Sequence, residues 1–347
     1  MRFQKNLNDW YLEYKRDLPW RKTIEPYYIW LSEIILQQTQ VVQGTPYYVA
    51  FIEKYPTVFD LAAANEVDVL KLWQGLGYYS RARNLHATAK YVANQLNGVF
   101  PNNYKALLDL KGVGDYTASA IASFCFNEAT AVVDGNVFRV LSRYFGIDTP
   151  INTSKGMKEF KALAQKLMEG SNPSRFNQAL MEFGAIQCRP KNPNCITCIF
   201  NTSCVALSTG VVANLPVKNK SAKAKKKYFN FLVFISEDGK TVLEKREGKG
   251  IWQNLYQFPL IETTENADED TLRNYLKRHE LLEGRIFKLS IYNKEPIVHK
   301  LSHQHLYTTF WIINTQQSLE NGVLLNEIET YPVPILIGKF IESFNFY

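Results

Sequence analysis

The stretch from Leu110 to Val137 restricts the fold more than any other part of the chain. It reads Leu110-Lys111-Gly112-Val113-Gly114-Asp115-Tyr116-Thr117-Ala118, runs through an apolar segment, and ends in Val132-Val133-Asp134-Gly135-Asn136-Val137. Two glycines around one small apolar residue allow a turn where the backbone can approach another group closely. Ala118, Ile121, Ala122 and Cys125 then recur at helical spacing, so a helix is expected directly after the turn. The first amide N–H groups of a helix lack intrahelical partners, and behind Gly112 and Gly114 they are open to a phosphate oxygen. Asp134 opens a second such unit, because an N-capping residue type precedes the stripe Val137, Val140, Leu141 and Tyr144. Each feature alone is an ordinary connection or cap. Together they set a place for a nucleic-acid backbone beside a carboxylate.

Upstream, Pro26 suits the first turn of a helix expected to run through Gln38. Its residues Tyr27, Tyr28, Ile29, Trp30, Leu31, Ile34, Ile35 and Leu36 leave almost no polar face, yet Glu33 sits among them. A carboxylate in such surroundings loses hydration, which raises its pKa and favours a protonated acid near neutrality, unless it faces solvent or meets an arginine. Farther on, Trp73-Gln74-Gly75-Leu76-Gly77-Tyr78-Tyr79-Ser80-Arg81-Ala82-Arg83 sets aromatic rings beside glycines and arginines. Rings of this kind can wedge between bases while arginines hold phosphates.

Five cysteines occur, and four of them, Cys188, Cys195, Cys198 and Cys204, form a C-x6-C-x2-C-x5-C pattern. Four soft ligands in one short loop can reach a single centre, either zinc or an iron-sulfur cluster. Cys125 falls on an apolar helical stripe and is expected to be inert core. From Phe183 to Ser236 there is no acidic residue but eight basic ones, Arg189, Lys191, Lys218, Lys220, Lys223, Lys225, Lys226 and Lys227, against a net charge of +7 for the whole chain. Such a band fits a polyanionic partner. No unbroken apolar run is long enough to cross a bilayer, and Met1-Arg2-Phe3-Gln4-Lys5 does not read as a signal peptide, so no membrane association and a cytoplasmic or, in a eukaryote, nuclear location are expected.

Chain length favours two domains. Composition divides them into a helical domain, 1–214, containing the 188–204 cysteine loop, a lysine-rich linker, 215–227, and a smaller α+β domain, 228–347. In the last, Tyr228 to Ile235 and Thr241 to Lys245 read as strands joined at Asp238-Gly239, Leu306 to Ile313 as another, and Leu272 to Leu282 as helix. Side chains of Leu301-Ser302-His303-Gln304-His305 would alternate if the stretch is a strand, with Ser302 facing away from His303 unless a loop intervenes.

Taken together, these motifs resemble the DNA glycosylases of the helix-hairpin-helix, endonuclease III superfamily, and within it the adenine DNA glycosylase family. Ser32-Glu33-Ile34-Ile35-Leu36-Gln37-Gln38-Thr39-Gln40-Val41 is similar to the family helix whose Glu is the catalytic acid, and Gly250-Ile251-Trp252-Gln253-Asn254-Leu255-Tyr256-Gln257-Phe258-Pro259 resembles the family's Nudix-like recognition domain. The resemblance implies a multidomain protein: an all-α helix-hairpin-helix glycosylase domain with an iron-sulfur loop, then a smaller α+β Nudix-like domain. It implies removal of adenine mispaired with 8-oxoguanine or guanine in double-stranded DNA, by a monomer, with Glu33 as acid, Asp134 as the carboxylate that stabilises the sugar cation, and Tyr116 and Asn136 orienting both. Arg21, Trp30, Gln38, Tyr78, Arg81, Gly112, Gly114, Gln178, Ser302 and His303 become substrate- or DNA-binding residues, with Tyr78 and Gln38 intruding beside the lesion, Gln178 reading the adenine edge, and Ser302 and His303 reading 8-oxoguanine. The cysteine spacing is similar to the superfamily's 4Fe-4S loop, which makes Cys188, Cys195, Cys198 and Cys204 the ligands of that cluster.

Two residues depart from the family pattern. Leu301 stands where Phe is usual, and Asp115 puts a negative charge beside the expected phosphate site. After Gly250 there is no Arg-Glu-x-x-Glu-Glu helix to hold Mg²⁺, so the second domain is expected to bind without hydrolysing nucleotides. A bifunctional glycosylase-lyase of the same fold and a non-catalytic iron-sulfur DNA-binding protein are the competing expectations. Tyr116, standing where a lyase carries Lys, disfavours the first, and the presence of both Glu33 and Asp134 disfavours the second.

Overall fold

The structure, a computed structural model, describes residues 2–220, 224–277 and 286–346. It contains two compact units, Met1–Ala63 with Asn84–Lys220, and Ala64–Arg83 with Ser221–Tyr347.

The first unit is helical. Arg2–Tyr14, Pro26–Leu36, Val41–Lys54, Asp115–Phe126, Gly135–Phe145, Ser154–Met168 and Pro173–Glu182 are its main helices. Pro26–Leu36 begins on its proline, as expected, and buries Tyr27, Ile29, Trp30, Leu31, Ser32, Glu33, Ile34 and Ile35. It ends at Leu36 rather than Gln38, because the chain turns and Gln38 takes a left-handed φ of 56°. Phe3, Leu7, Trp10, Val137, Val140, Leu141, Phe160, Phe176, Leu180 and Phe183 build one core that joins the first helix to Gly135–Phe145 and Pro173–Glu182.

The glycine turn is as tight as the spacing required. Gly112 has a φ of 80°, and a Cβ there would lie 2.8 Å from Asn84 Cβ, so both conformation and space call for glycine. Gly114 caps the Asp115–Phe126 helix, and no atom lies within 4 Å of where its Cβ would be. The loop from Glu128 to Asp134 has no regular structure of its own. Buried Asn177 fixes it, accepting from Val132 N at 3.0 Å and donating to Thr130 O at 2.9 Å and Ser123 Oγ at 2.8 Å.

The second unit is built on a five-stranded sheet. Lys225–Ser236 runs parallel to Gln304–Thr315; Leu260–Thr263 pairs antiparallel with the former, and Phe287–Ile291 and Ile297–Lys300 with the latter. Strand and lysine run overlap, since the first strand opens at Lys225. Lys240–Thr241 does not form a hairpin with the strand before Asp238-Gly239, as the turn signal predicted; it pairs with Val323–Leu324, and Glu244–Lys245 pairs with Tyr256–Gln257. The long central strand instead takes a parallel partner along its whole length, burying Leu232, Phe234, Trp311 and Ile313 on one face and Phe231 and Phe310 on the other. Glu269–Leu276 is helical, and the rest of the expected Leu272 to Leu282 helix lies outside the described residues beyond Lys277. Leu272 and Leu276 pack on Leu232, Phe234, Trp311 and Ile313, while Phe340 of the Ile335–Ser343 helix stacks on Phe310, 4.1 Å between centroids, on the opposite face.

Residues 64–83 belong to this unit through specific bonds. Asn254 Nδ2 donates to Glu66 Oε1 at 2.6 Å, Arg83 Nη1 to Gln253 O at 2.8 Å, and Val333 N to Gln74 Oε1 at 3.2 Å. No helix among the described residues is long and apolar enough to cross a membrane.

Candidate active site

An open cleft of about 610 Å³ in the first unit is lined by Arg21, Glu33, Tyr116, Asp134, Asn136 and Gln178, which the chain draws from five separate stretches. Glu33 comes from the middle of an apolar helix and is 6% exposed. Loss of hydration pushes its carboxyl up to about 7; the Tyr116 phenol, hydrogen-bonded to it, pulls the other way, the charge of Asp134 adds to the rise, and Arg21 opposes it. Tyr116 sits in the first turn after the glycine turn, and burial together with the two carboxylates holds its phenol protonated well above the usual range.

Asp134 caps the Gly135–Phe145 helix. Its Oδ1 accepts from Asn136 N at 2.9 Å and Val137 N at 2.8 Å, and its Oδ2 accepts from Asn136 Nδ2 at 2.7 Å. Burial raises its pKa, and these three donors hold the rise in check. Desolvation raises both carboxyls, and they differ in their partners: Glu33 has the Tyr116 phenol, whereas three donors around Asp134 favour its anion. Asn136 is itself oriented by Arg139, whose Nη2 donates to its Oδ1 at 2.8 Å and to Gly184 O at 2.7 Å.

Gln178 faces the cleft from Pro173–Glu182, its Oε1 accepting from Tyr11 OH at 3.0 Å and its Nε2 donating to Ser174 Oγ at 3.2 Å. A second N–H and a second lone pair remain for a ligand. Sequence reasoning missed Glu182, one turn beyond Gln178 on the same helical face. Buried Glu182 takes a bidentate pair from Arg16, at 2.7 Å to each oxygen, and a bond from Arg21 at 2.8 Å. Although burial pushes its carboxyl up, these guanidinium bonds hold it down at about 2. Arg16, Arg139 and Gly184 were also missed. An i, i+4 pairing of Gln178 with Glu182 was the only signal in the sequence, since the other three act across elements.

Other expected site residues lie elsewhere. Trp30 is fully buried, packed against Tyr27 and Phe100, and does not reach the cleft. Gln38 is exposed at the turn after the Glu33 helix. Gly112 and Gly114 are exposed at the glycine turn, where the charge of Asp115 is answered by Lys161 Nζ at 3.1 Å and by Tyr104 OH at 2.6 Å. In the second unit Tyr78, at a φ of 47° and 49% exposed, shares a 2.8 Å hydrogen bond with Ser302 Oγ. Arg81 is turned inward, donating to Leu76 O and Gly77 O and lying over the Trp73 ring, so it braces the turn that presents Tyr78. Ser302 and His303 are not strand residues; they form the exposed tip between Ile297–Lys300 and Gln304–Thr315, closed by Leu301 N donating to Gln304 O at 2.8 Å.

Cys188, Cys195, Cys198 and Cys204 all line one cavity, with Val140, Arg143, Tyr144, Phe183 and Phe200 around them. All are free thiols. Arg143 Nη1 lies 3.4 Å from Cys188 Sγ, and Phe200 N donates to Cys198 Sγ at 3.4 Å. Burial pushes the Cys198 thiol up to about 11. Among the described residues no three His, Cys, Asp or Glu side chains converge closely enough to hold a single metal ion. Cys125 is partly rather than fully buried, and its thiol is pushed up to about 12 by burial, which keeps it unreactive.

Known proteins fit this arrangement. Residues 31–166 match the model of the HhH-GPD superfamily base excision DNA repair proteins, and residues 230–343 that of the NUDIX domain. The adenine DNA glycosylase of Buchnera aphidicola subsp. Baizongia pistaciae is 36% identical over 98% of this chain and 96% of its own length, and that of Homo sapiens is 44% identical over 59% of this chain and 39% of its own length. Among solved structures, a thermostable thymine-DNA glycosylase is 34% identical with a TM-score of 0.55, covering 60% of this chain and 95% of that one. An endonuclease III–DNA complex, 20% identical with a TM-score of 0.53 over 60% of this chain and 95% of that one, shares the fold. With a relative matched nearly end to end and both family models matched along it, the chain belongs to the adenine DNA glycosylases, enzymes of base excision repair.

Proposed function

We propose that this glycosylase hydrolyses the N-glycosidic bond of adenine paired with 8-oxoguanine or guanine in duplex DNA, as a monofunctional monomer acting on the chromosome. The observation that carries the reading is the pair of carboxyls in one cleft, Glu33 held near a pKa of 7 and Asp134 ringed by donors. The target adenine must leave the stack, and a mispair lowers that cost. Glu33, protonated, passes its proton to the purine as the bond lengthens. Asp134 then faces the positive charge that develops on the sugar, while Asn136 and Tyr116 keep the two carboxyls in place. Gln178 offers an amide edge to the adenine, and Arg21 with Arg16 and Glu182 forms a fixed charged wall beside it. Trp30 acts from behind, as the filled core under the helix that carries Glu33. Outside the cleft, the turn at Gly112 and Gly114 takes a phosphate, Gln38 and Tyr78 intrude at the mispair, Arg81 supports Tyr78, and Ser302 and His303 meet the base opposite adenine.

The four cysteines fit a 4Fe-4S cluster, since its charge would keep ionised the thiols of Cys195 and Cys198, which burial otherwise holds protonated. Bound there, the cluster supplies iron–thiolate bonds that hold the 188–204 loop in shape. Arg143 stabilises the same loop from outside, donating to Arg189 O at 2.8 Å and Pro190 O at 3.1 Å.

Single-turnover assays on duplexes carrying adenine opposite 8-oxoguanine, guanine or thymine test the substrate. Excision fastest opposite 8-oxoguanine supports it, and equal rates on all three refute it. Monofunctional action turns on Tyr116, because a phenol cannot form the imine that a lyase needs. Borohydride should trap no covalent adduct, and the strand should stay intact until alkali is added. Efficient trapping would assign lyase chemistry to another amine.

A further inference from the structure

One face of the sheet in the second unit is buried at one end and, among the described residues, exposed at the other. Strand register places Lys226, Tyr228, Asn230, Leu232 and Phe234 on that face, beside His305, Tyr307, Thr309, Trp311 and Ile313. The Glu269–Leu276 helix packs on Leu232, Phe234, Trp311 and Ile313. It stops there. Beyond it Lys226 and Lys300 are exposed, Val298 is 43% exposed, and Tyr228, His305 and Tyr307 are partly exposed.

These side chains are arranged rather than scattered. Tyr228 and Tyr307, directly paired across the strands, stack with ring centroids 5.2 Å apart and planes 25° apart. Lys226 Nζ lies 5.7 Å from the Tyr307 centroid, and Lys300 is paired with His305. Both rings are partly exposed, and each phenol carries an O–H that can donate to a ligand. No carboxylate occurs at any strand position that the pairings put on this face; Glu262 points to the other side, where Lys227 and Arg246 meet it. The surface also continues the hairpin tip of Ser302 and His303, with Tyr307 about 13 Å along the strand from His303 at the usual rise per residue.

We propose that this uncovered end of the sheet face docks the phosphate backbone of the DNA flanking the lesion pair. The inference rests on the reading that Ser302 and His303 meet the lesion base. Lys226 and Lys300 supply charge, the phenols of Tyr228 and Tyr307 supply neutral donors, and such contacts fix register without reading sequence. At roughly 3.4 Å per nucleotide along one strand, the Tyr307 end reaches about four nucleotides from the lesion.

The test measures equilibrium binding of the full chain to a duplex with adenine opposite 8-oxoguanine and to the same duplex undamaged, between 50 and 200 mM salt. Lys226→Ala with Lys300→Ala should weaken both equally and flatten the slope of log affinity against log salt by about 1.8, near 0.9 per lost cation. Trimming the duplex to two pairs on one side of the lesion should abolish that difference for one side and not for the other. Tyr228→Phe with Tyr307→Phe keeps the rings and should weaken binding severalfold with the salt slope unchanged, and an unchanged melting temperature will show that both variants fold. Wild-type affinity and slope in the lysine variant, or a loss confined to the damaged duplex, would overturn the proposal. Ser302→Ala separates the two readings: it should lower the preference for the damaged duplex and keep the salt slope, so a failure of lesion reading is visible apart from a failure of docking.

Discussion

Arg139 Nε donates to the carbonyl of Cys188 at 2.7 Å while the same guanidinium holds Asn136 Oδ1 at 2.8 Å, so one side chain ties the carboxylate of the cleft to the start of the cysteine loop. Losing it should disturb both ends. Arg139→Leu is expected to lower single-turnover excision about 10- to 100-fold, the usual cost of removing an outer-shell partner, and to lower iron per chain in anaerobically purified protein. Full iron with full activity would show that the bridge is dispensable.

Iron itself is the simplest check on the loop. Protein purified without oxygen should be brown, with about four irons per chain. Cys198→Ser or Cys204→Ser should bleach it and weaken DNA binding, because metal affinity and loop folding are coupled. Stoichiometric zinc in place of iron would refute the cluster.

Excision should depend on pH through Glu33. Only the protonated carboxyl donates, so the single-turnover rate should fall as pH rises through about 7, the value to which burial brings this group. Tyr116→Phe removes a hydrogen bond that lowers that pKa, so the alkaline limb should move to higher pH in this variant. Glu33→Gln should bind the mispair yet lose excision by about 10²- to 10⁴-fold at every pH. A rate that rises with pH across this range would contradict the acid role.

The same burial sets a stability cost. Because Glu33 titrates at about 7 when folded and near 4.5 when unfolded, the folded state binds more protons between those values, and stability contributed by this group is present below 4.5 and lost as pH rises to 7. At pH 8 the cost is roughly 3 kcal/mol. Glu33→Gln should therefore resist urea better than the native protein at pH 8, with the gap closing as pH falls toward 4.5. Equal stability at both pH values would mean that the carboxyl is hydrated.

Gly184 admits no side chain. A Cβ there would lie 2.6 Å from Asn136 Cβ and 2.8 Å from its carbonyl oxygen. Gly184→Ala must push Asn136, and with it the bonds to Asp134, out of place; it should cost about 1 to 3 kcal/mol of stability. Its kcat should fall more than its KM changes, since orientation and not contact with DNA is lost. Denaturant midpoints and steady-state kinetics check both.

What the chain declared in its sequence was local. The Gly112 turn, the Asp134 cap and the buried helix around Glu33 could be read because capping chemistry, positive φ and apolar periodicity act over a few residues. The four cysteines were legible by spacing for the same reason. The Glu182 clamp by Arg16 and Arg21 and the reach of Arg139 to Cys188 join residues tens to more than a hundred positions apart, where no local pattern records a partner. Residues 64–83 packing with the second unit, and a central strand taking a parallel partner over the adjacent hairpin, were decided likewise by which surfaces bury each other best. Sequence by itself determined which groups could do the chemistry. Tertiary packing decided their surroundings, because the desolvation that raises Glu33 and Asp134 exists only once distant segments close over them.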